Sequence, residues 1–134
     1  MNVWLTSVQP RRVVTYGLDG GYGHVDHLAV TKVLMKLQED HVFELWQTVF
    51  KPGTFDDLRG YLQRKEPQLI SKDVKDAAGV PPEICIENPV MMEKKRLALS
   101  YYATQLQGRA VEQFLGVRAM RQLLSSESFA PMTR

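Results

Sequence analysis

The sequence predicts an α/β domain built from parallel strands with flanking helices. Three observations predict it. A β-branched run, Arg12 to Tyr16, leads through a glycine-rich loop into a helical apolar pattern. A second β-rich run, Val42 to Phe50, follows that helix. A third, Glu83 to Glu87, precedes two further helical stretches. Strands that alternate with helices bury their apolar faces by stacking the helices on a sheet. The chain has 134 residues, which suits one domain over residues 1–134 with a single core.

Each element follows from its residues. Asn2 to Val8, apolar at Val3, Trp4, Leu5 and Val8, reads as the tail of a helix that Pro10 stops. Arg12 to Tyr16 reads as a buried strand. Gly17, Gly20, Gly21 and Gly23 form a loop in which the backbone can turn sharply and approach a ligand. A helix is predicted from Val25 to about Glu39, with the stripe Val30, Val33, Leu34 and Leu37 at helical spacing. After the strand at 42–50, Lys51-Pro52-Gly53 makes a turn, and Thr54 is the expected N-cap of a helix from Phe55 to Lys65. Asp56 and Asp57 suit its first turn, where the helix dipole favours negative charge.

Residues 66–80 are polar and mixed and read as loop. Val80-Pro81-Pro82 leads into the short strand Glu83 to Glu87, and Asn88-Pro89 then signals a helix start. The long helix expected from Val90 to Gln107 carries Met91, Leu97, Tyr101, Tyr102 and Leu106, and Gly108 ends it. A last helix is expected from Ala110 to Leu124, with Val111, Phe114, Leu115, Val117 and Leu123. The tail from Ser125 to Arg134 reads as polar, apart from Phe129.

Composition sets the function classes aside in turn. With 44% hydrophobic and 24% charged residues, neither disorder nor membrane spanning is expected. The first residues lack the basic start and apolar stretch of a signal peptide, and a lone Cys85 suits a reducing compartment, so a cytoplasmic location is expected. A net charge of +2 does not argue for nucleic acid, and Arg109, Arg118 and Arg121 read as a solvated basic face.

The chemistry gathers in Tyr22-Gly23-His24-Val25-Asp26-His27, where the glycine loop meets the helix. A strand, a glycine-rich loop and a helix in this order is the usual ligand-holding corner of an α/β protein. His24 and His27, three residues apart, can face one pocket, with Asp26 beside them as a partner for acid–base work. A catalytic zinc needs about three protein ligands and an open position. The other candidates are poor. His41 would lie about 21 Å further along the same helix. Asp19 reads as a turn residue and Cys85 as a small core residue. One copy therefore offers one or two ligands and no convincing third.

The run Arg11 to Val30, with Tyr22-Gly23-His24-Val25-Asp26-His27 at its centre, resembles the second signature of the LmbE-like, or PIG-L-like, zinc-dependent N-deacetylases: Gly-His-Pro-Asp-His after a strand. Lys95, Ala98-Leu99, Tyr102 and Thr104-Gln105 resemble a later pattern of that family, and Glu127-Ser128-Phe129 its closing Glu-x-Phe. The resemblance covers nearly the whole chain. It implies a Rossmann-like domain and a zinc-bound water that attacks an N-acetyl amide, commonly on an acetylglucosamine-containing small molecule. It gives His27 as a metal ligand, His24 as the group that polarises the carbonyl or stabilises the oxyanion, Asp26 as the residue that orients His24, and Tyr22 as a catalytic pocket residue that can donate to the same oxygen. Tyr102 would stand near the substrate.

Two departures stand out: Val25 replaces the usual proline and Tyr102 the usual histidine, while Thr104 for serine is mild. The family's first segment, Ala-His-Pro-Asp-Asp-Glu, which supplies the other ligands and the general base, has no counterpart in residues 1–134. The chain is thus expected to be a partial LmbE-type domain truncated on its N-terminal side, inactive alone. Such a chain should work with a second copy or with a polypeptide carrying the first half. The competing expectation is an inactive remnant or assembly module that folds as an oligomer.

Overall fold

A computed structural model describes residues 2–72, 80–106 and 108–132. It has four strands, β1 (Arg12–Thr15), β2 (Glu44–Thr48), β3 (Ile84–Glu87) and β4 (Ser126–Pro131), in the order β1-β2-β4-β3. The helical elements are α1 (Asn2–Val8), the single turn α2 (Gly20–Gly23), α3 (Val25–Leu37), α4 (Asp56–Lys65), α5 (Met92–Ser100), α6 (Ala103–Leu106), α7 (Val111–Leu115) and α8 (Val117–Ser125). The α/β class holds. The expectation of parallel strands holds for one pair: β1 and β2 run parallel, Val13 opposite Leu45, with α3 as their crossover.

The other two pairings are antiparallel, which corrects the all-parallel reading. β4 inserts between β2 and β3, with Gln47 opposite Ala130 and Cys85 opposite Ser128. Its residues, Ser126 to Pro131, belong to the stretch expected to be a polar tail. Only Ala130 of the strand is fully buried, so no apolar run announces it. Strand formation here depends on neighbours on both sides, which local propensity does not register. Cys85, expected in the core, instead lies exposed on β3, where the Ser128 hydroxyl donates to its sulfur at 3.4 Å.

The buried face of α3 also differs from the expected stripe. Leu28, Thr31 and Leu34 point inward, while Val30 and Val33 lie outside. The helix is rolled because Thr31 is tied to the end of β1, as described below. The helix expected over 90–107 opens with a 3-10 turn at Pro89–Met91 and is interrupted after Ser100, and Leu97 and Tyr101 are exposed. The helix expected over 110–124 breaks at Gly116, whose φ is +80° and where a Cβ would come 3.2 Å from Asp57. Thr54 does not cap α4. Its hydroxyl instead bonds the Lys51 carbonyl at 2.7 Å and the Gln122 side chain, tying the β2–α4 turn to α8. Part of the loop expected over 66–80, at 73–79, lies outside the described residues, as do Gln107 and the last two residues of the tail.

Three apolar clusters hold these elements. Leu5 of α1, Leu34 of α3, Phe43 and Leu45 pack together beside β1 and β2. Phe55, Leu58 and Leu62 meet Ile70 and Ala119 of α8. Leu106, Val111, Met120 and Leu124 join α6, α7 and α8. β1 is an edge strand, and Val14 on it is 49% exposed. The Lys95 ammonium bridges Glu127 at 2.9 Å, so two of the stretches that carry the family resemblance join α5 to β4.

Candidate active site

The site is built at the C-terminal end of β1. Asp19 folds the glycine loop by accepting the Gly21 N–H at 3.0 Å, so it acts as a turn residue rather than a ligand. Gly20 has φ +62°, and a Cβ there would meet Leu28 at 3.0 Å, so the loop lies flat on α3. Its carbonyl accepts from His27 Nδ1 at 2.9 Å. His24 caps α3, its Nδ1 accepting the Asp26 N–H at 3.2 Å. The loop is held from outside by the Ser71 N–H, which donates to the Gly23 carbonyl at 2.8 Å.

Thr31 locks the helix to the strand. It is fully buried, with its hydroxyl 2.9 Å from the Tyr16 carbonyl, 3.0 Å from the His27 carbonyl and 3.2 Å from the Thr15 hydroxyl. This residue was not singled out from the sequence, although its place between Leu28 and Leu34 at helical spacing marks it as inward-facing.

The two histidines and two tyrosines form one ring cluster. The His24 and His27 ring centroids are 4.8 Å apart. Tyr16 stacks flat on His27 at 3.7 Å, and Tyr22 stands edge-on to His27 at 5.3 Å and to His24 at 5.7 Å. Tyr22 also leans on Phe55. The Asp26 carboxylate lies 4.0 Å from His24 Nδ1 and is largely exposed. His41 follows α3 at its far end, beside Phe43, away from the cluster. Tyr102 lines the same cavity as His27 and Tyr22, together with Tyr16, which sequence reasoning left as a strand residue.

Partner atoms fix both imidazole tautomers. A carbonyl only accepts, so His27 Nδ1 carries its proton and Nε2 keeps a free lone pair, the arrangement of a metal-ligating histidine. A backbone N–H only donates, so His24 Nδ1 is the acceptor and the neutral ring presents Nε2–H as a donor. Burial lowers the His27 pKa below its ordinary 6.5, against the opposing pull of the Gly20 bond. Burial, with lesser help from Tyr16 and Asp26, pushes the Tyr22 hydroxyl up to about 12, so it stays a donor at neutral pH. Tyr16 is likewise raised, by burial first and then by Tyr102. Among the described residues no group of three His, Cys, Asp or Glu side chains stands close enough to hold a metal ion. His27 fits as one ligand, and the described residues do not complete a site.

The His27 shift has a measurable sign. The unfolded chain takes up the proton first, so His27 supports folding fully above about pH 6.5 and loses that support as pH falls through its lower folded value. In chelator-treated protein, the urea midpoint is expected to fall more steeply between about pH 7.5 and 5 for wild type than for His27→Gln. Parallel curves would show that the ring is not desolvated.

Two of the three basic residues near the last helices have partners. Arg109 lies over Tyr61 at 4.7 Å and over Phe114 at 5.3 Å, and Arg118 faces Asp56 at 3.8 Å. No described helix is long and apolar enough to cross a membrane.

No protein-family model and no solved structure matches the chain. It is 29% identical over 117 residues to the 1D-myo-inositol 2-acetamido-2-deoxy-alpha-D-glucopyranoside deacetylase of Corynebacterium urealyticum, an alignment that covers 73% of this chain and 32% of that enzyme. The chain is similar to a deacetylase. That similarity points the same way as the motifs around His24 and His27, and the chain spans about a third of the relative's length.

Proposed function

We propose that this chain carries the histidine-bearing part of a zinc-dependent hydrolase that removes an N-acetyl group from an acetylglucosamine-type small molecule. The observation that carries the reading is the opposed tautomer pair. His27 offers Nε2 as a metal ligand while His24, 4.8 Å away, offers Nε2–H as a donor. An amide hydrolase needs both kinds of group on one carbonyl. His24 and the protonated Tyr22 would stabilise the oxygen on which negative charge develops, and Asp26, whose N–H donates to His24 Nδ1, would orient that ring. Zinc, when bound, supplies polarisation of the carbonyl and an ionised water near neutral pH. The similarity to a deacetylase of an acetamido sugar supports the substrate class. The remaining ligands would come from a second copy of this chain.

The exposed edge of β1, with Val14 on it and Val30 and Val33 on the nearby helix α3, favours a second reading. An uncovered parallel edge invites another strand, and a module that assembles without catalysis would need nothing more.

One experiment separates the two. The chain is purified without chelator, and its zinc content and mass by light scattering are measured on the same sample, with His27→Ala alongside. The hydrolase reading expects an oligomer that retains zinc, and loss of the zinc in His27→Ala with the mass unchanged. An oligomer without zinc in either protein leaves the assembly reading. A monomer without zinc overturns both.

A further inference from the structure

The ring cluster opens on a cavity of about 500 Å³ whose chemistry is divided. Its polar groups are His27, the hydroxyls of Tyr16, Tyr22 and Tyr102, and Thr104. Everything else is apolar: Phe50 and Phe55 from the β2–α4 turn, and Leu99, Leu106, Val111, Phe114, Leu115 and Leu123 from the helical side. No Asp, Glu, Lys or Arg lines it among the described residues.

We infer that this cavity binds an alkyl chain, so that the substrate is an uncharged amphiphile whose amide lies at His24 and His27 and whose chain lies against Leu99, Phe114 and Leu123. The inference deepens the hydrolase reading and rests on it for the word substrate; the chain-binding itself stands on the cavity. The volume falls in the range of small-molecule sites. An acetyl group, no bigger than a few waters of about 30 Å³ each, would leave most of it empty. A sugar ring would strand its hydroxyls against leucine and phenylalanine, at the cost of their hydrogen bonds to water. A phosphate or carboxylate would find no lysine or arginine in the lining. An alkyl chain meets none of these objections. Each methylene moved from water to such a surface strengthens binding about fourfold.

The chain can hang from either end of the amide-bearing molecule, as a longer acyl group or as an alkyl glycoside. Calorimetric titration of the full chain with two series therefore tests the inference: N-alkanoylglucosamines from two to eight carbons, and alkyl glycosides of N-acetylglucosamine over the same lengths. Affinity is expected to rise about fourfold per methylene in one series and to level off when the cavity is full. The rising series identifies which end enters. Leu99→Trp, which fills the cavity from α5, is expected to abolish the rise, and Leu99→Met to retain it. If Leu99→Trp does not fold, the wild-type and Leu99→Met slopes still decide. Flat series in both arms, or a rise untouched by a folded Leu99→Trp, overturn the assignment. A rising series in a protein that holds no zinc would sink the hydrolase reading and leave the cavity assignment in place. Retained zinc with flat series would do the reverse.

Discussion

Replacing Thr31 with valine is expected to destabilise the chain by about 2–3 kcal/mol. The shape barely changes, so no cavity opens and packing loss does not contribute. What changes is hydrogen bonding. The Tyr16 carbonyl loses its partner at 2.9 Å, and the buried Thr15 hydroxyl loses one at 3.2 Å. The His27 carbonyl, an ordinary intrahelical acceptor, keeps its backbone partner. A buried polar group left without a partner costs about 1–3 kcal/mol, which the Thr15 hydroxyl bears in full and the part-buried Tyr16 carbonyl in part. The effect reaches the site, because Tyr16 stacks on His27 and the Thr31 bond holds the two elements together. Thr31→Ser keeps the hydroxyl and is expected to restore most of the loss. Urea denaturation of the three proteins checks this. A valine variant as stable as wild type, or a serine variant as weak as valine, would show that the hydroxyl does not lock α3 to β1.

Leu58→Ala is expected to cost about 3 kcal/mol and to lower Tm by roughly 10 °C. Leu58 is 1% exposed at the centre of the cluster that joins α4 to Ile70 and Ala119. Truncation removes buried methyl groups and leaves a void, since α4 is pinned at its start by the Thr54–Gln122 bond and cannot readily collapse inward. Tyr22 rests on this cluster through Phe55, so the edge-on contact of Tyr22 with the histidines should loosen as well. Thermal unfolding followed by circular dichroism, with tyrosine fluorescence in parallel, measures both. A loss below about 1 kcal/mol would mean that α4 shifts to fill the space.

These two positions show what was legible from the residues. The site's chemical groups were legible, because Tyr22, His24, Asp26 and His27 follow one another in a loop and a helix start, where local rules operate. The groups that hold and surround them were not. Thr31 sits in a helix between leucines and looks like a polar exception, and its role depends on the end of β1 lying beneath it. Phe114 and Leu123 reach the His27 cavity only because Gly116 turns α8 away from α7 and folds both against α4. The roll of α3 that exposes Val30 and Val33 comes from the same Thr31 bond and not from the apolar count of the helix.

From the sequence alone came the α/β class, the place of most elements, the histidine pair and the likeness to a deacetylase. All of these are local: periodicity, glycine and proline punctuation, or a contiguous motif. Only the tertiary structure decided that β4 enters the sheet between β2 and β3 and makes two of its three pairings antiparallel, that Cys85 is exposed, and that each imidazole's tautomer is set by a particular backbone atom. The physical reason is the same throughout. A strand with one fully buried residue is stabilised by its two neighbours, and a tautomer by the one atom its nitrogen faces. Neither partner is near in the chain or marked by residue type.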